Sequence, residues 1–177
     1  METPEDMATR PTADRAREAL FSILAADLSG ARFLDLFCGS GAMGIEALSR
    51  GAKWAVFVDE AHAAIKCTTA NLDKTKLAPR AKVLNMSAAQ AISEIAEASE
   101  YFDIVFLDPP YGSGILIDTL EHLASVELVT DGGFIIAETE SDKEPEPEID
   151  SFSFISDRVY GRTKFLIFRK DKRNDSL

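Results

Sequence analysis

The chain has 177 residues, of which 46% are hydrophobic and 28% are charged. These values are typical of one folded domain that is long enough to bury a sizeable core. No apolar run reaches the roughly 18 residues of a membrane-spanning helix, and the start METPEDMATRPT does not resemble a secretory signal. The formal net charge of −11 argues at first against a nucleic-acid partner.

The charge is unevenly distributed along the chain. Residues 138–150 carry seven acids and one lysine, whereas residues 157–175 carry seven basic residues and three acids. This pattern fits either a solvated acidic loop with a basic tail or a basic rim on an acidic body. Cys38 and Cys67 lack the spacing of metal ligands, so we expect no metal and a reducing, cytoplasmic environment.

Helical and strand patterns alternate along the chain. The first helix is predicted to start at Thr12 as its N-cap, with an apolar stripe at positions 20, 23, 24 and 28. Strands are predicted at 32–37, 54–58, 81–85, 102–107, 133–138, 152–156 and 163–170. Helices are predicted between the first five strands at 43–50, 61–72, 87–98 and 114–125.

This alternation predicts an α/β fold with a mostly parallel sheet and helices on both of its faces. The last two strands have no helix between them, so they should form an antiparallel pair at one edge. We expect a single domain over residues 1–177, with flexible ends at 1–9 and 171–177.

The first predicted strand runs into the glycine-rich stretch DLFCGSGAMG. Gly39, Gly41 and Gly44 fit the pattern G-x-G-x-x-G, and Asp59 ends the second strand 20 residues after Gly39. Glycines in such a turn let the backbone approach a nucleotide, and the acid binds ribose hydroxyls. A turn with a purely structural role is the alternative.

The sequence favours S-adenosylmethionine over NAD as the ligand of this turn. An NAD site normally uses two mononucleotide-binding halves, and the chain shows no second glycine-rich turn. Asp35 lies just before the glycines, where a carboxylate suits a cationic ligand better than a pyrophosphate. S-adenosylmethionine carries a sulfonium, an amino group and a ribose, and no phosphate.

The fourth predicted strand ends in Asp108, Pro109, Pro110 and Tyr111. In the predicted sheet this strand lies beside the first, so its carboxyl end faces the same pocket. We therefore expect Asp108 next to the cofactor, with the two prolines holding its surroundings rigid.

These motifs resemble those of a known family. DPPY after a core strand, with DLFCGSG upstream, is similar to the amino-group methyltransferases that use S-adenosylmethionine. RPTADRAREALFSIL, GSGAMGIEALSRGA and YGRTKFLIFRK together resemble the bacterial small-subunit (16S) ribosomal RNA guanine-N2 methyltransferases, over roughly residues 9–170. The resemblance implies a Rossmann-like class I methyltransferase whose seven-stranded sheet has an antiparallel last strand.

The resemblance also implies a role for each matching residue. Asp35 would hold the methionine part of the cofactor and Asp59 the ribose. The loop that approaches the cofactor would comprise Phe37, Cys38, Gly39, Ser40 and Gly41. Asp108 and the Pro109 carbonyl would accept hydrogen bonds from the target amine. The ring of Tyr111, rather than its hydroxyl, would stack on a flipped base.

Three features depart from the family pattern. Only METPEDMAT stands where relatives have a basic β-hairpin, Ala61 replaces a frequent second acid after Asp59, and Ser87 replaces the acid that binds the adenine amine. The substrate mouth would then depend on Arg10, Thr12 and Arg162. We expect a monomer that acts on ribosomal RNA within an assembling small subunit, without a membrane partner.

Two alternatives remain open at this point. One is transfer to another amine, such as adenine in DNA or RNA or a protein amide. The other is a protein that binds S-adenosylmethionine without catalysis, although the intact DPPY sequence argues against it.

Overall fold

The computed structural model describes residues 4–112, 114–140 and 147–172, with side chains from residue 11 onward. The helices are α1 (Pro4–Ile23), α2 (Ala25–Leu28), α3 (Ala42–Ser49), α4 (His62–Thr75), α5 (Ala88–Glu97) and α6 (Ile115–Ser125). The strands are β1 (Arg32–Leu36), β2 (Trp54–Asp59), β3 (Ala81–Asn85), β4 (Phe102–Leu107), β5 (Val129–Glu140), β6 (Phe152–Tyr160) and β7 (Thr163–Lys170).

All seven strands form one sheet in the order β3-β2-β1-β4-β5-β7-β6. Strands β1 to β5 pair in parallel, whereas β7 runs antiparallel to both β5 and β6. This arrangement confirms the predicted α/β class, the antiparallel pair at the edge and the antiparallel last strand. Within the described residues, no helix is long and apolar enough to cross a bilayer.

Side chains of the central strands alternate between two hydrophobic layers. Leu34, Leu36 and the inner faces of α5 and α6 belong to one layer, and Phe33 belongs to the other with α1, α3 and α4. Successive side chains of a strand point to opposite faces, so a strand buried on both faces reads as a continuous apolar run. The sheet is therefore covered by helices on both faces, as predicted.

The first helix begins earlier than the sequence pattern predicts. It starts at Pro4, and Pro11 lies inside it, so Thr12 is not the N-cap. The predicted start was wrong because Pro11 lies inside the helix and does not mark its boundary. Proline fits the first helical turn, where its missing N–H needs no partner, and inside a helix it can remove one hydrogen bond without ending it. Residues 4–9, expected at a flexible end, are thus helical.

Strand β5 is longer than predicted. It begins at Val129 rather than at residue 133, although Gly132 has a positive φ of 76°. The residues TDGG resemble a turn, but here they accommodate an irregularity in the pairing with β4, between Phe102 and Ile104. Most of the acidic segment 138–150 that follows, residues 141–146, lies outside the described residues.

Candidate active site

The site lies where the connections from two neighbouring strands diverge. β1 and β4 are parallel neighbours, and Leu36 pairs with Leu107 at their carboxyl ends. The chain leaves β1 towards α3 and leaves β4 towards α6, which pack on opposite faces of the sheet. This is the topological switch point at which open α/β sheets bind ligands. The predicted proximity of the glycine loop and the DPPY turn is confirmed.

The glycine loop needs two of its glycines for steric reasons. Gly41 has a φ of 78°, and a Cβ there would lie 2.9 Å from Thr68 Cγ2. A Cβ on Gly44 would lie 2.3 Å from Phe57 Cε1 in the core. The loop therefore turns sharply and packs α3 directly against β2, which brings backbone groups to the sheet edge.

Asp35 is buried directly beneath this loop. Its side chain is 1% exposed, and Oδ2 accepts a hydrogen bond from Gly44 N at 3.0 Å. Burial raises the pKa of Asp35 to about 7; the Gly44 N–H opposes this rise, while the negative charges of Asp108 and Asp59 add to it. A bound cation would relieve the cost of ionising this carboxyl.

Asp59 holds the loop from the end of β2. Its Oδ2 accepts from Gly39 N and its Oδ1 accepts from Ala61 N, both at 2.9 Å. Each carboxylate oxygen has a second lone pair, so these bonds leave acceptor capacity for ribose hydroxyls. The loop is fixed from the other side by Thr68, whose Oγ1 donates to Gly39 O at 2.9 Å.

Two cavities of about 260 Å³ each open at this edge of the sheet. The first, which we call the acidic cavity, contains six predicted site residues in its wall: Asp35, Phe37, Cys38, Gly39, Ser40 and Asp108. The second, the apolar cavity, contains the predicted residues Asp59 and Ser87 with Val58, Ala88, Ile92 and Ile115. Phe37 belongs to both walls and has a left-handed φ of 63°, so the loop backbone turns between the cavities.

Ser87 has a structural task that the sequence prediction missed. Its hydroxyl accepts from Gln90 N at 3.2 Å, and Gln90 Oε1 accepts from Ser87 N at 3.3 Å. These two bonds form a capping box at the start of α5, and S-x-x-Q was its signal in the sequence. The Ser87 hydroxyl is thus engaged by its own helix at the wall of the apolar cavity.

Cys38 is a packed, neutral thiol. It is buried, and its Sγ lies 3.5 Å from Thr68 Oγ1. Burial, followed by the negative charge of Asp35, raises the pKa of Cys38 to about 12. The thiolate needed for nucleophilic chemistry is therefore strongly disfavoured.

The DPPY turn places one carboxylate and one aromatic ring at the opening. Asp108 is exposed to the acidic cavity, Pro109 is buried, and the Tyr111 side chain is 51% exposed. Pro109, Pro110 and Tyr111 form the wall of a third cavity of about 60 Å³, which we call the tyrosine cavity. Loss of hydration between the surrounding walls raises the pKa of Asp108 although one side of it faces solvent.

Glu138 is a site residue that the sequence analysis missed. It belongs to the walls of both the acidic and the tyrosine cavities. The Tyr111 hydroxyl lies within reach of its carboxylate as a hydrogen-bond donor. Burial, followed by the negative charge of Asp108, raises the pKa of Glu138. The signal was present, because Glu138 ends the predicted fifth strand just as Asp59 and Asp108 follow theirs.

Of the predicted substrate residues, Tyr111 borders the tyrosine cavity, whereas Thr12 and Arg162 lie outside the three cavity walls. A Cβ on Gly161, in the turn between β6 and β7, would lie 3.0 Å from Thr12 Cγ2. The exposed Arg162 is therefore close to α1, and Arg17 of α1 belongs to the wall of the acidic cavity. The side chain of Arg10 lies outside the described residues.

The profile of the protein family described as Conserved hypothetical protein 95 matches residues 1–169. The chain belongs to this family. Ribosomal RNA small subunit methyltransferase D of Escherichia coli (strain K12) is 33% identical over 173 residues, which cover 98% of this chain and 85% of that protein. The resemblance to small-subunit ribosomal RNA methyltransferases drawn from the sequence motifs is thereby confirmed.

Two solved structures are similar to this chain in fold. A conserved hypothetical protein from Streptococcus pyogenes has a TM-score of 0.80 and 34% identity, over 88% of this chain and 95% of that chain. Magnesium protoporphyrin IX methyltransferase from Synechocystis, solved with bound S-adenosylmethionine, has a TM-score of 0.74 and 16% identity, over 97% of this chain and 86% of that chain. The second match concerns the fold alone.

Proposed function

We propose that this protein transfers a methyl group from S-adenosylmethionine to the N2 amine of a guanine in small-subunit ribosomal RNA. One observation carries the proposal. The glycine loop with Asp35 and the DPPY turn with Asp108 border the same cavity at the switch point of the sheet. A cofactor-binding loop and an amine-binding turn are thus in reach of one another. The motif RPTADRAREALFSIL supports the ribosomal guanine as the target.

The residues around the two larger cavities fit this cofactor. Asp35, Asp59 and Asp108 concentrate negative charge there, which favours a cation and opposes the phosphates of a dinucleotide. When bound, S-adenosylmethionine supplies an electrophilic methyl group. Asp35 and the backbone of residues 37–41 would hold its methionine part, Asp59 its ribose, and the apolar cavity its adenine.

The DPPY turn orients the target nitrogen. The lone pair of an exocyclic amine is delocalised into the base, so the nitrogen is a poor nucleophile. Asp108 and the Pro109 carbonyl accept from its two N–H groups and aim the lone pair at the methyl carbon. Holding the reacting atoms in this geometry supplies much of the rate. Asp108 need not be a strong base, because the amine becomes acidic once it is methylated.

Tyr111 compensates for taking the base out of its stack. Its half-exposed ring is available at the opening, where a flipped base would enter. Stacking on an aromatic side chain is worth about 1–3 kcal/mol per base. Stacking would tolerate any base, so the ring of Tyr111 gives affinity and not selectivity.

The charges at the rim favour a folded ribonucleoprotein over naked RNA. Arg17 forms an ion pair with Asp14 at 3.0 Å, and Lys164 forms one with Asp157 at 3.3 Å. Phosphate contacts supply most non-specific RNA affinity, and these two cations are partly neutralised by their own acids. We therefore expect shape and ribosomal proteins to contribute, with an assembling small subunit as the substrate.

Nucleoside mass spectrometry of small-subunit ribosomal RNA from a deletion strain tests the proposal. N2-methylguanosine should decrease by one residue per subunit, and the wild-type gene should restore it whereas the Asp108→Ala gene should not. Loss of a methylated adenine instead would identify the alternative target, and an unchanged profile would exclude ribosomal RNA. In vitro, purified subunits from that strain should be methylated faster than protein-free RNA, and the reverse order would contradict the ribonucleoprotein preference.

A further inference from the structure

Two carboxylates end neighbouring strands at the target opening. Leu107 of β4 pairs in parallel with Ala137 of β5, so Asp108 and Glu138 are the next residues on adjacent strands. Both belong to the wall of the acidic cavity. The mechanism proposed above uses Asp108 and the Pro109 carbonyl, and it leaves Glu138 without a task.

Glu138 is held in a defined orientation between two cavities. It is half-buried, and it lies where the acidic cavity and the tyrosine cavity adjoin. The Tyr111 hydroxyl lies within reach of this carboxylate, and a carboxylate that accepts one such bond has acceptor capacity left for a ligand. Two neighbouring acids repel each other when both are charged, and this cost is relieved when a ligand supplies two N–H donors.

Guanine is the base whose edge fits two neighbouring acceptors. Its Watson–Crick edge presents the N1–H and the N2 amine side by side. Adenine and cytosine present an amine next to a ring nitrogen that is itself an acceptor, and a carboxylate facing that nitrogen would set lone pairs against each other. Flipped bases are commonly recognised by hydrogen bonds to this edge.

We propose that Glu138 selects guanine by accepting a hydrogen bond from N1–H while Asp108 accepts from the N2 amine. This inference rests on the proposed function and names the residue that determines its base specificity. Tyr111 contributes by fixing the Glu138 carboxylate in addition to stacking on the base.

Small subunits reconstituted with 2-aminopurine at the methylated position test this role. This base keeps the 2-amino group but has an unprotonated N1, so the Glu138 carboxylate should reject it. Wild-type enzyme should prefer guanine in kcat/KM by roughly 10- to 150-fold, the range for one hydrogen bond to a charged group. In the Glu138→Gln variant the side-chain amide can accept from N1–H or donate to N1, so the preference should fall to roughly threefold or less.

A matched control variant and a check of folding complete the test. Glu121→Gln, the same change at an exposed position of α6, should keep the wild-type preference. Calorimetry with S-adenosylmethionine verifies that the Glu138→Gln variant is folded, and Glu138→Ala replaces it if it is not. An equal loss on both substrates would overturn the selecting role, because a structural defect does not discriminate between bases. Failure of the wild-type enzyme on guanine subunits would instead overturn the proposed function.

Discussion

Cavities bordered by acidic residues lie at both ends of the sheet. The largest single cavity of those described is at the amino ends of the strands, whereas the glycine loop and the DPPY turn are at the carboxyl ends. The cavity at the amino ends of the strands has a volume of about 380 Å³ and is bordered by Asp27, Asp103 and Asp131. There, Asp103 Oδ2 accepts from Arg32 N at 2.8 Å and its Oδ1 accepts from Thr130 Oγ1 at 3.1 Å. This carboxylate connects β4 to both of its neighbouring strands.

The acids at the carboxyl ends are arranged differently. The buried Asp35 has its pKa raised to about 7, and Glu138 has its pKa raised by burial and by Asp108. The negative charge of Asp108 repels both, which is a cost that the ligand-free protein carries, whereas the Asp103 carboxylate is hydrogen-bonded to both neighbouring strands. Neither the size of a cavity nor its number of acids therefore locates function; uncompensated charge at the switch point does.

The largest effect is expected for Asp108→Ala. Losing the acceptor that aims the target amine should lower kcat by about 10²-fold or more, because misplacement of reacting groups costs that much. The affinity for S-adenosylmethionine should stay within about threefold, since the hydrogen bonds of Asp108 are to the target amine and not to the cofactor. Steady-state kinetics on small subunits and calorimetry measure the two quantities.

Asp103→Ala is the matched control at the other end of the sheet. It should lower the melting temperature, because it removes the two hydrogen bonds that connect the strands, and it should leave kcat unchanged. Normal turnover of Asp108→Ala, or loss of turnover in Asp103→Ala, would contradict the distinction between the two ends.

Asp59→Ala should weaken cofactor binding by roughly 10- to 150-fold, which corresponds to about 1.5–3 kcal/mol for hydrogen bonds to a charged group. The variant loses the ribose contact and also the bond to Gly39 N that fixes the glycine loop. Isothermal calorimetry with S-adenosylmethionine measures the change, and Asp131→Ala at the amino end should leave the affinity as it is. An unchanged dissociation constant for Asp59→Ala would exclude it from the cofactor site.

The ligand-free protein should become less stable as the pH rises through the range in which Asp35 ionises. Its pKa is about 7 in the folded state and close to 3.8 in the unfolded state, so the folded protein binds more protons between these values. The free energy of unfolding then falls with rising pH, by about 2 kcal/mol between about pH 5 and pH 7 from this group. Urea denaturation at several pH values measures the free energy of unfolding, which should fall with rising pH more steeply in wild type than in Asp35→Asn. The same pH dependence in both proteins would refute the prediction.

The sequence was sufficient for the fold and for expecting the glycine loop beside the DPPY turn, because both depend on local patterns. Continuous apolar runs identified the buried parallel strands, and acids at or near the carboxyl ends of β1, β2 and β4 were predicted as the site residues Asp35, Asp59 and Asp108. The neighbour of Asp108 was missed because Glu138 opens a run of acids and its partner is set by strand register, which the sequence does not display. The start of α1 was misplaced because the sequence alone does not distinguish a proline inside a helix from a proline at a helix boundary.

The smallest effect is expected for Tyr111→Phe, and it separates two roles of one side chain. The sequence analysis expects the ring to act by stacking, and the structure adds a hydroxyl within reach of the Glu138 carboxylate, which it would orient. Removing that interaction should lower kcat/KM by about 2- to 10-fold, the range for a typical intramolecular hydrogen bond, while Tyr111→Ala should cost more because stacking is lost too. Tyr101→Phe, at an exposed tyrosine beside the amino end of β4, is the matched control and should have no effect.

If the hydroxyl acts through Glu138, then Tyr111→Phe should add little to the Glu138→Gln variant in a double-mutant cycle. Full additivity of the two losses would show that the hydroxyl acts independently of Glu138.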